Sequence, residues 1–198
     1  RLAAVGITDL VINHAHLGHM LEAALGDGGA FGARIRWSPE PPGALETAGG
    51  IRQAMQFLGD GPFLAVNGDI FCDADFAPLA EIAARLHPGG DLAHLFLVDN
   101  PDHHPEGDFA LEAGRVRSEK EPRLTFSGIA AYHPALFARL EPGRPARLAP
   151  QLRAAMEDDR VSGERYCGCW MDVGTPERLA QLDAQLRLNV SSTPFERL

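Results

Sequence analysis

Pro62-Phe63-Leu64-Ala65-Val66-Asn67-Gly68-Asp69-Ile70-Phe71 is an apolar run that breaks abruptly into Asn-Gly-Asp. A run rich in branched and aromatic residues, closed by a glycine and an acid, reads as a buried parallel strand. In open α/β sheets, ligands bind just beyond the carboxyl ends of such strands. An aspartate placed there can hold a hard cation, and a glycine lets a ligand or backbone come close. Asp69 is therefore the first candidate site residue.

Toward the N-terminus, residues 1–7 read as the end of a helix stopped at Gly6. Residues 8–13 read as a strand, 17–25 as a short amphipathic helix and 34–38 as a second strand. A loop rich in Pro and Gly then leads to a helix from about residue 48 to 58, just ahead of the opening run. Beyond that run come a helix near 76–86 and a strand at 92–98. This alternation of strand and helix implies a parallel sheet with right-handed crossovers. Residues 108–113, 114–118 and 124–132 read as short strands, an antiparallel addition. Residues 134–140 and 149–157 are expected to be helical, 166–173 a last strand, and 176–188 a helix with proline in its first turn. The tail after Asn189 has no periodicity and is expected to be loose. With no repeat and no linker, residues 1–198 read as one domain.

Composition narrows the function. Apolar residues at 45% and charged residues at 23% are ordinary for a globular chain of 198 residues, enough for a sizeable core. A net charge of -9 argues against a nucleic-acid partner, while leaving room for a phosphate held by metal, helix N-termini and a few arginines. Cys72, Cys167 and Cys169 are too few for a disulfide framework and read as small apolar side chains in a reducing compartment. No stretch is apolar and long enough to span a membrane, and no signal peptide is visible, so a cytoplasmic protein is expected.

Two further segments carry chemistry. In Leu45-Glu46-Thr47-Ala48-Gly49-Gly50, Thr47 reads as a helix cap. The two glycines, each costing about 1 kcal/mol against alanine in a helix, suit either tight packing or close approach of a ligand. In Trp170-Met171-Asp172-Val173-Gly174-Thr175-Pro176-Glu177 a strand again ends in an acid, and Thr175 with Pro176 opens a helix. Asp172 paired with Asp69 gives two carboxylates, which together with substrate phosphate oxygens suit Mg²⁺. Asp73-Ala74-Asp75 has the spelling of a glycosyltransferase metal motif but follows the strand end, and reads as a loop and helix cap.

Asn67-Gly68-Asp69, the Glu-Thr-Ala-Gly-Gly loop, Thr125-Phe126-Ser127-Gly128-Ile129 and the Trp-Met-Asp-Val-Gly-Thr-Pro segment together resemble the sugar-1-phosphate nucleotidylyltransferases. Val98-Asp99-Asn100-Pro101-Asp102-His103-His104 with Gly107-Asp108-Phe109 is similar to the branch that uridylylates N-acetylmuramate 1-phosphate in peptidoglycan recycling; the mannose-1-phosphate guanylyltransferases lie near it. The resemblance implies a Rossmann-like α/β fold, a mostly parallel mixed sheet flanked by helices. It also implies Mg²⁺-dependent transfer of a nucleotidyl group from a nucleoside triphosphate, UTP favoured, to a sugar 1-phosphate with release of pyrophosphate. By the same likeness Asp69 and Asp172 are the catalytic metal ligands, and Glu46, Thr47, Gly49, Gly50, Asn67, Asn100 and Gly128 are substrate contacts. His103 and His104 are expected in a lid or sugar-contact loop.

Family members open with a strand and a glycine-rich loop, then an arginine and a Pro-Lys pair that hold the triphosphate. This sequence starts after that point, so the domain is expected to be incomplete at its N-terminus, with an apolar gap where a central strand belongs. Lys120, the chain's single lysine, sits in Glu119-Lys120-Glu121-Pro122 and reads either as a phosphate contact or as a solvated hairpin residue. A non-catalytic sugar-nucleotide-binding domain is the alternative from another class.

Overall fold

Along Ala93-His94-Leu95-Phe96-Leu97-Val98 every residue is buried, as a strand covered on both faces requires. Residues 1–41, 43 and 45–192 are described in the computed structural model, with side chains as far as Leu188. That strand, β5 (Ala93–Val98), follows β1 (Asp9–His14), β2 (Arg34–Pro39), β3 (Phe63–Val66) and β4 (Ile70–Cys72). After it come β6 (Phe109–Glu112), β7 (Arg115–Arg117), β8 (Arg123–Tyr132), β9 (Val161–Arg165) and β10 (Trp170–Asp172). The helices are α1 (Gly18–Leu25), α2 (Glu46–Leu58), α3 (Ala77–Ala83), α4 (Leu148–Glu157) and α5 (Pro176–Ser192).

Six strands form the main sheet in the order β3-β8-β5-β9-β7-β6, with β6 also touching β8. Alternation along each strand divides the core in two. Leu95, Leu97, Ala130 and Tyr132 pack with Phe137, Leu152, Ala155 and Met156 on one side. Phe96, Ile129 and Ala131 pack with Phe76, Leu79 and Ala83 on the other. Helices thus cover both faces of a mixed sheet, the α/β architecture expected.

The sheet's detail departs from the alternation read in sequence. The strands β3 and β5 are not neighbours, because β8 runs antiparallel between them, pairing Ala65 with Ala130 and Leu95 with Ala130. Parallel pairing is confined to β1–β2 and β5–β9, so the mostly parallel proportion expected is not what the ladders show. β3 pairs with β8 on one side only, which leaves its chain half-buried and Val66 37% exposed. The opening run therefore stops at Val66, turns through Asn67-Gly68-Asp69, and resumes as β4. β4 pairs not with the main sheet but antiparallel to β10.

Other boundaries moved for local reasons. Residues 1–7 hold a single 3₁₀ turn, Ala3–Val5, closed by Gly6 at φ 84°. Residues 134–140 form only the short 3₁₀ turn Pro134–Phe137, whose Ala135 N–H is taken by His133 Nδ1. The expected strand at 166–173 shrinks to β10, while β9, just ahead of it, was not expected, and residues 166–169 join the two. α5 runs to Ser192, beyond the expected end; residues 193–198, the rest of the tail, lie outside the described residues. Among the described residues no helix is long and apolar enough to cross a membrane.

Candidate active site

The turn Asn67-Gly68-Asp69 is fixed from two directions. Asn67 N–H donates to the Gly128 carbonyl at 2.9 Å, and Val173 N–H donates to the Asp69 carbonyl at 2.7 Å. On the β4–β10 ladder Asp172 lies opposite Ile70, so the two acids are one step apart across paired strands. Asp69 and Asp172, about a hundred residues apart in the chain, come here to neighbouring rungs, and both carboxylates line one cleft.

That cleft, about 310 Å³, is walled by Asp69, Asp172, Trp170, Ser127, His103 and His104 among others. A second cleft of about 460 Å³ lies between β1 and β3. Val11, Phe63 and Tyr132 form apolar walls there, and Asn13, Glu40, Glu46 and Thr47 supply polar groups. Asn67, Asp69, Phe126 and Gly128 line both clefts and form the ridge between them. Gly128 has φ +77°, and a Cβ there would lie 2.8 Å from Asn67 Nδ2, so glycine alone lets the ridge close. The two clefts thus meet beside this pair of acids.

Asp172 is held at both oxygens. His103 Nε2 lies 3.2 Å from Oδ1 and Arg178 Nη2 lies 3.1 Å from Oδ2. A Cβ on Gly174 would sit 2.9 Å from Arg178 Nη2 and 3.5 Å from Asp69 Oδ2, so this glycine keeps space open where guanidinium and carboxylate converge. Among the described residues no three His, Cys, Asp or Glu side chains cluster as a metal cage. Two carboxylates fit a cation that keeps its waters and completes its shell with phosphate oxygens, as Mg²⁺ does.

Residues 1–188 match the family model described as nucleotidyl transferase. The chain belongs to the nucleotidyl transferase family. It is 51% identical over 187 residues to an N-acetylmuramate alpha-1-phosphate uridylyltransferase of Neisseria meningitidis, covering 93% of this chain and 80% of that one. A mannose-1-phosphate guanyltransferase of Aspergillus fumigatus is more distant, 30% identical, with 89% of this chain matched to 50% of its own. The fold is shared with a solved structure from Bacillus anthracis described as a glucose-1-phosphate thymidylyltransferase. The TM-score there is 0.78 at 20% identity, across 99% of this chain and 81% of that one. With that kinship the chain is a sugar-1-phosphate nucleotidylyltransferase.

In this nucleotidyl transferase the Glu-Thr-Ala-Gly-Gly loop divides its labour. Glu46 and Thr47 are exposed on the wall of the 460 Å³ cleft, with Glu46 held at φ +59°, a costly backbone for a side chain with a Cβ. Thr47 is not the cap expected of it. The first-turn amides of Ala48 and Gly49 donate instead to the Ala146 carbonyl, at 3.0 and 3.1 Å. Gly49 lies under that segment, where a Cβ would meet the Arg144 carbonyl oxygen at 2.5 Å. At Gly50 a Cβ would meet Glu40 Oε1 at 2.4 Å, and that same oxygen accepts from Asn13 Nδ2. Both glycines are buried and line neither cleft.

Asn100 is likewise outside both clefts. Its amide donates to the carbonyls of Pro105 (2.9 Å) and Arg123 (3.1 Å), and its oxygen accepts from Thr125 Oγ1 (2.9 Å). It anchors the loop that carries His103 and His104. Lys120 stands on the surface, 3.8 Å from Glu112, and lines neither cleft. Thr175 does cap its helix, accepting from Arg178 N–H at 3.3 Å, and Asp75 accepts from Ala77 N–H. Arg178 was missed in the sequence, where an arginine in a helix's first turn carries no mark.

The β4–β10 pair is tied by Asp73, whose Oδ1 accepts from the Tyr166 hydroxyl and from Cys169 N–H. The Tyr166 ring stacks on Phe96 at 5.9 Å. The Tyr166 hydrogen bond, aided by Cys169 N–H, holds the Asp73 carboxyl below the usual carboxylate range. Its contribution is therefore complete above about pH 4, the unfolded value, and fades as pH falls through the lower folded value. Thermal melts of the wild type and Asp73→Asn are expected to differ at pH 6, with the gap narrowing progressively as pH falls below about 4. A gap that stays constant across that range contradicts this role.

Proposed function

We propose that this enzyme joins UTP and N-acetylmuramate 1-phosphate into UDP-N-acetylmuramate, with release of pyrophosphate. The observation that carries the reading is the 51% identity, along nearly the whole chain, to a uridylyltransferase of that acceptor. The sugar-phosphate oxygen forms a bond to the α-phosphorus while the bond from that phosphorus to the β-phosphate bridge oxygen breaks, and pyrophosphate leaves. Such a transfer needs alignment and charge neutralisation more than acid–base chemistry.

Asp69 and Asp172 would hold Mg²⁺ at the ridge where the clefts meet. Bound there, the ion supplies Lewis-acid charge neutralisation to the phosphoryl oxygens. Glu46 and Thr47 face one ligand from the larger cleft, and Asn67 with Gly128 forms the floor both ligands share. Gly49, Gly50 and Asn100 act at one remove, by shaping the walls. We place the enzyme in the cytoplasm, where nucleoside triphosphates are, and in peptidoglycan recycling, which supplies this acceptor.

We also place one further strand between β1 and β3. Each of these strands pairs on one side only, Val11, Phe63 and Tyr132 form apolar walls between them that the added strand would cover while leaving the polar edge at Glu46 and Thr47 to a ligand, and the Neisseria relative is longer than this chain. Pyrophosphate release is the direct assay, using a chain extended upstream and UTP or GTP against N-acetylmuramate 1-phosphate or mannose 1-phosphate. UTP with the muramate acceptor is expected to exceed GTP with mannose 1-phosphate by at least about tenfold in kcat/KM. Equal turnover of the two pairs removes the muramate reading, and no release with any pair favours a domain that only binds.

A further inference from the structure

His103 and His104 are placed with unusual care for residues of a connecting loop. The segment 99–107 leaves β5 and is fastened at both ends. Asp99 is ion-paired with Arg165 at 2.6 Å, and the three hydrogen bonds of the Asn100 amide close the loop on itself and on β8. Gly107 has φ +63°, and a Cβ there would lie 2.7 Å from Asn100 Oδ1, so the closure admits no other residue without strain. Inside the loop His104 N–H donates to the Pro101 carbonyl at 2.8 Å. The result is a short, pinned segment that delivers two imidazoles to the wall of the 310 Å³ cleft.

The other ionisable groups of that wall are Asp69 and Asp172. Among the described residues lining the cleft, the two histidines are the ones able to carry positive charge. His104 is itself oriented, with Nε2 3.2 Å from Asp108 Oδ1, while Asp108 Oδ2 is fixed by Phe126 N–H at 2.8 Å. This pairing uses one ring nitrogen and leaves Nδ1 without a partner among the described residues. His103 leans the other way, to Asp172 at 3.2 Å. Both rings remain about two-fifths exposed, 43% and 41%, and so accessible to a ligand.

N-acetylmuramate differs from N-acetylglucosamine by a lactyl ether that ends in a carboxylate. A second anionic group entering a cleft already holding two carboxylates is repelled unless donors meet it. We propose that His103 and His104 form an anion subsite that recognises this carboxylate and so sets the acceptor preference, with His104 the principal contact. The inference rests on the muramate reading above and gives it a residue-level cause. A charge-assisted hydrogen bond of this kind separates ligands with and without the anion by about 10- to 100-fold.

The test compares UTP-dependent turnover of N-acetylmuramate 1-phosphate and N-acetylglucosamine 1-phosphate in the full chain. Wild type, His103→Ala, His104→Ala and His104→Gln are assayed, with thermal melts to establish folding. The ratio of kcat/KM for the two acceptors is expected to fall about 10- to 100-fold in His104→Ala. His104→Gln, which keeps an N–H donor, should recover part of it. Asp108→Asn serves as a second variant, expected to lower the ratio by loosening His104. A ratio that stays at the wild-type value in folded variants, whatever happens to the absolute rates, overturns the subsite. Equal use of both acceptors by the wild type overturns the muramate reading and this inference with it, and is seen before any substitution is made.

Discussion

Asp172→Asn is expected to lower nucleotidyl transfer by about 10³-fold or more, and Asp69→Asn by a similar factor. Asparagine keeps the size of the side chain and removes its charge, so the loss measures charge and not packing. The barrier contribution of a cation at the phosphoryl oxygens is several kcal/mol, and 1.4 kcal/mol is a factor of ten. Stability should change far less. Asp69 is exposed and Asp172 is partly exposed, and the ladder between β4 and β10 is made by backbone groups. Because the two acids act as a unit, the double variant should be scarcely worse than either single one. Activity within tenfold of wild type in folded Asp172→Asn contradicts the assignment of this residue.

Phe137→Ala is expected to cost about 3–5 kcal/mol, a large fraction of the stability of a domain this size. Phe137 is fully buried, meets the Tyr132 ring edge-on at 5.5 Å, and lies 6.2 Å from Phe63. Removing it leaves a cavity among Tyr132, Leu136 and Leu152 that rigid strands on one side and α4 on the other close only in part. Phe137→Leu, which keeps most of the volume, should cost less than about 1.5 kcal/mol. Denaturant titration of the three proteins tests the order; equal stability of all three contradicts this account of the core.

Asp69 and Asp172 were readable because each closes an apolar strand with a glycine close by, a pattern that depends only on neighbouring residues. Their meeting was expected from the pairing of two strand-end acids and the family likeness, not from any local pattern: it depends on β4 pairing with β10, about a hundred residues apart. The glycines of the Glu-Thr-Ala-Gly-Gly loop show the same limit. Their composition marks a close approach, but the approaching groups are the backbone of residues 144–146 at Gly49, nearly a hundred positions away, and the Glu40 and Asn13 side chains at Gly50. The parallel sheet read from strand–helix alternation failed where β8, met much later in the chain, enters between β3 and β5. β9 escaped notice because Val161-Ser162-Gly163-Glu164-Arg165 has too little apolar content to signal a strand. Its Gly163 instead makes room for the Leu95 carbonyl at 2.8 Å from a Cβ position. Asn100 was expected as a ligand contact, and its partly buried amide ties the loop to Pro105, Arg123 and Thr125; an anchoring amide and a binding amide read identically in one dimension.

The central claim is that Asp69 and Asp172 hold one divalent cation between the two clefts. Anomalous diffraction from crystals of the upstream-extended enzyme grown with Mn²⁺ and UTP measures this directly. A single anomalous peak within about 2.0–2.3 Å of a carboxylate oxygen from each acid is the expected result. A bound nucleotide with the Mn²⁺ peak elsewhere, or touching neither aspartate, contradicts it.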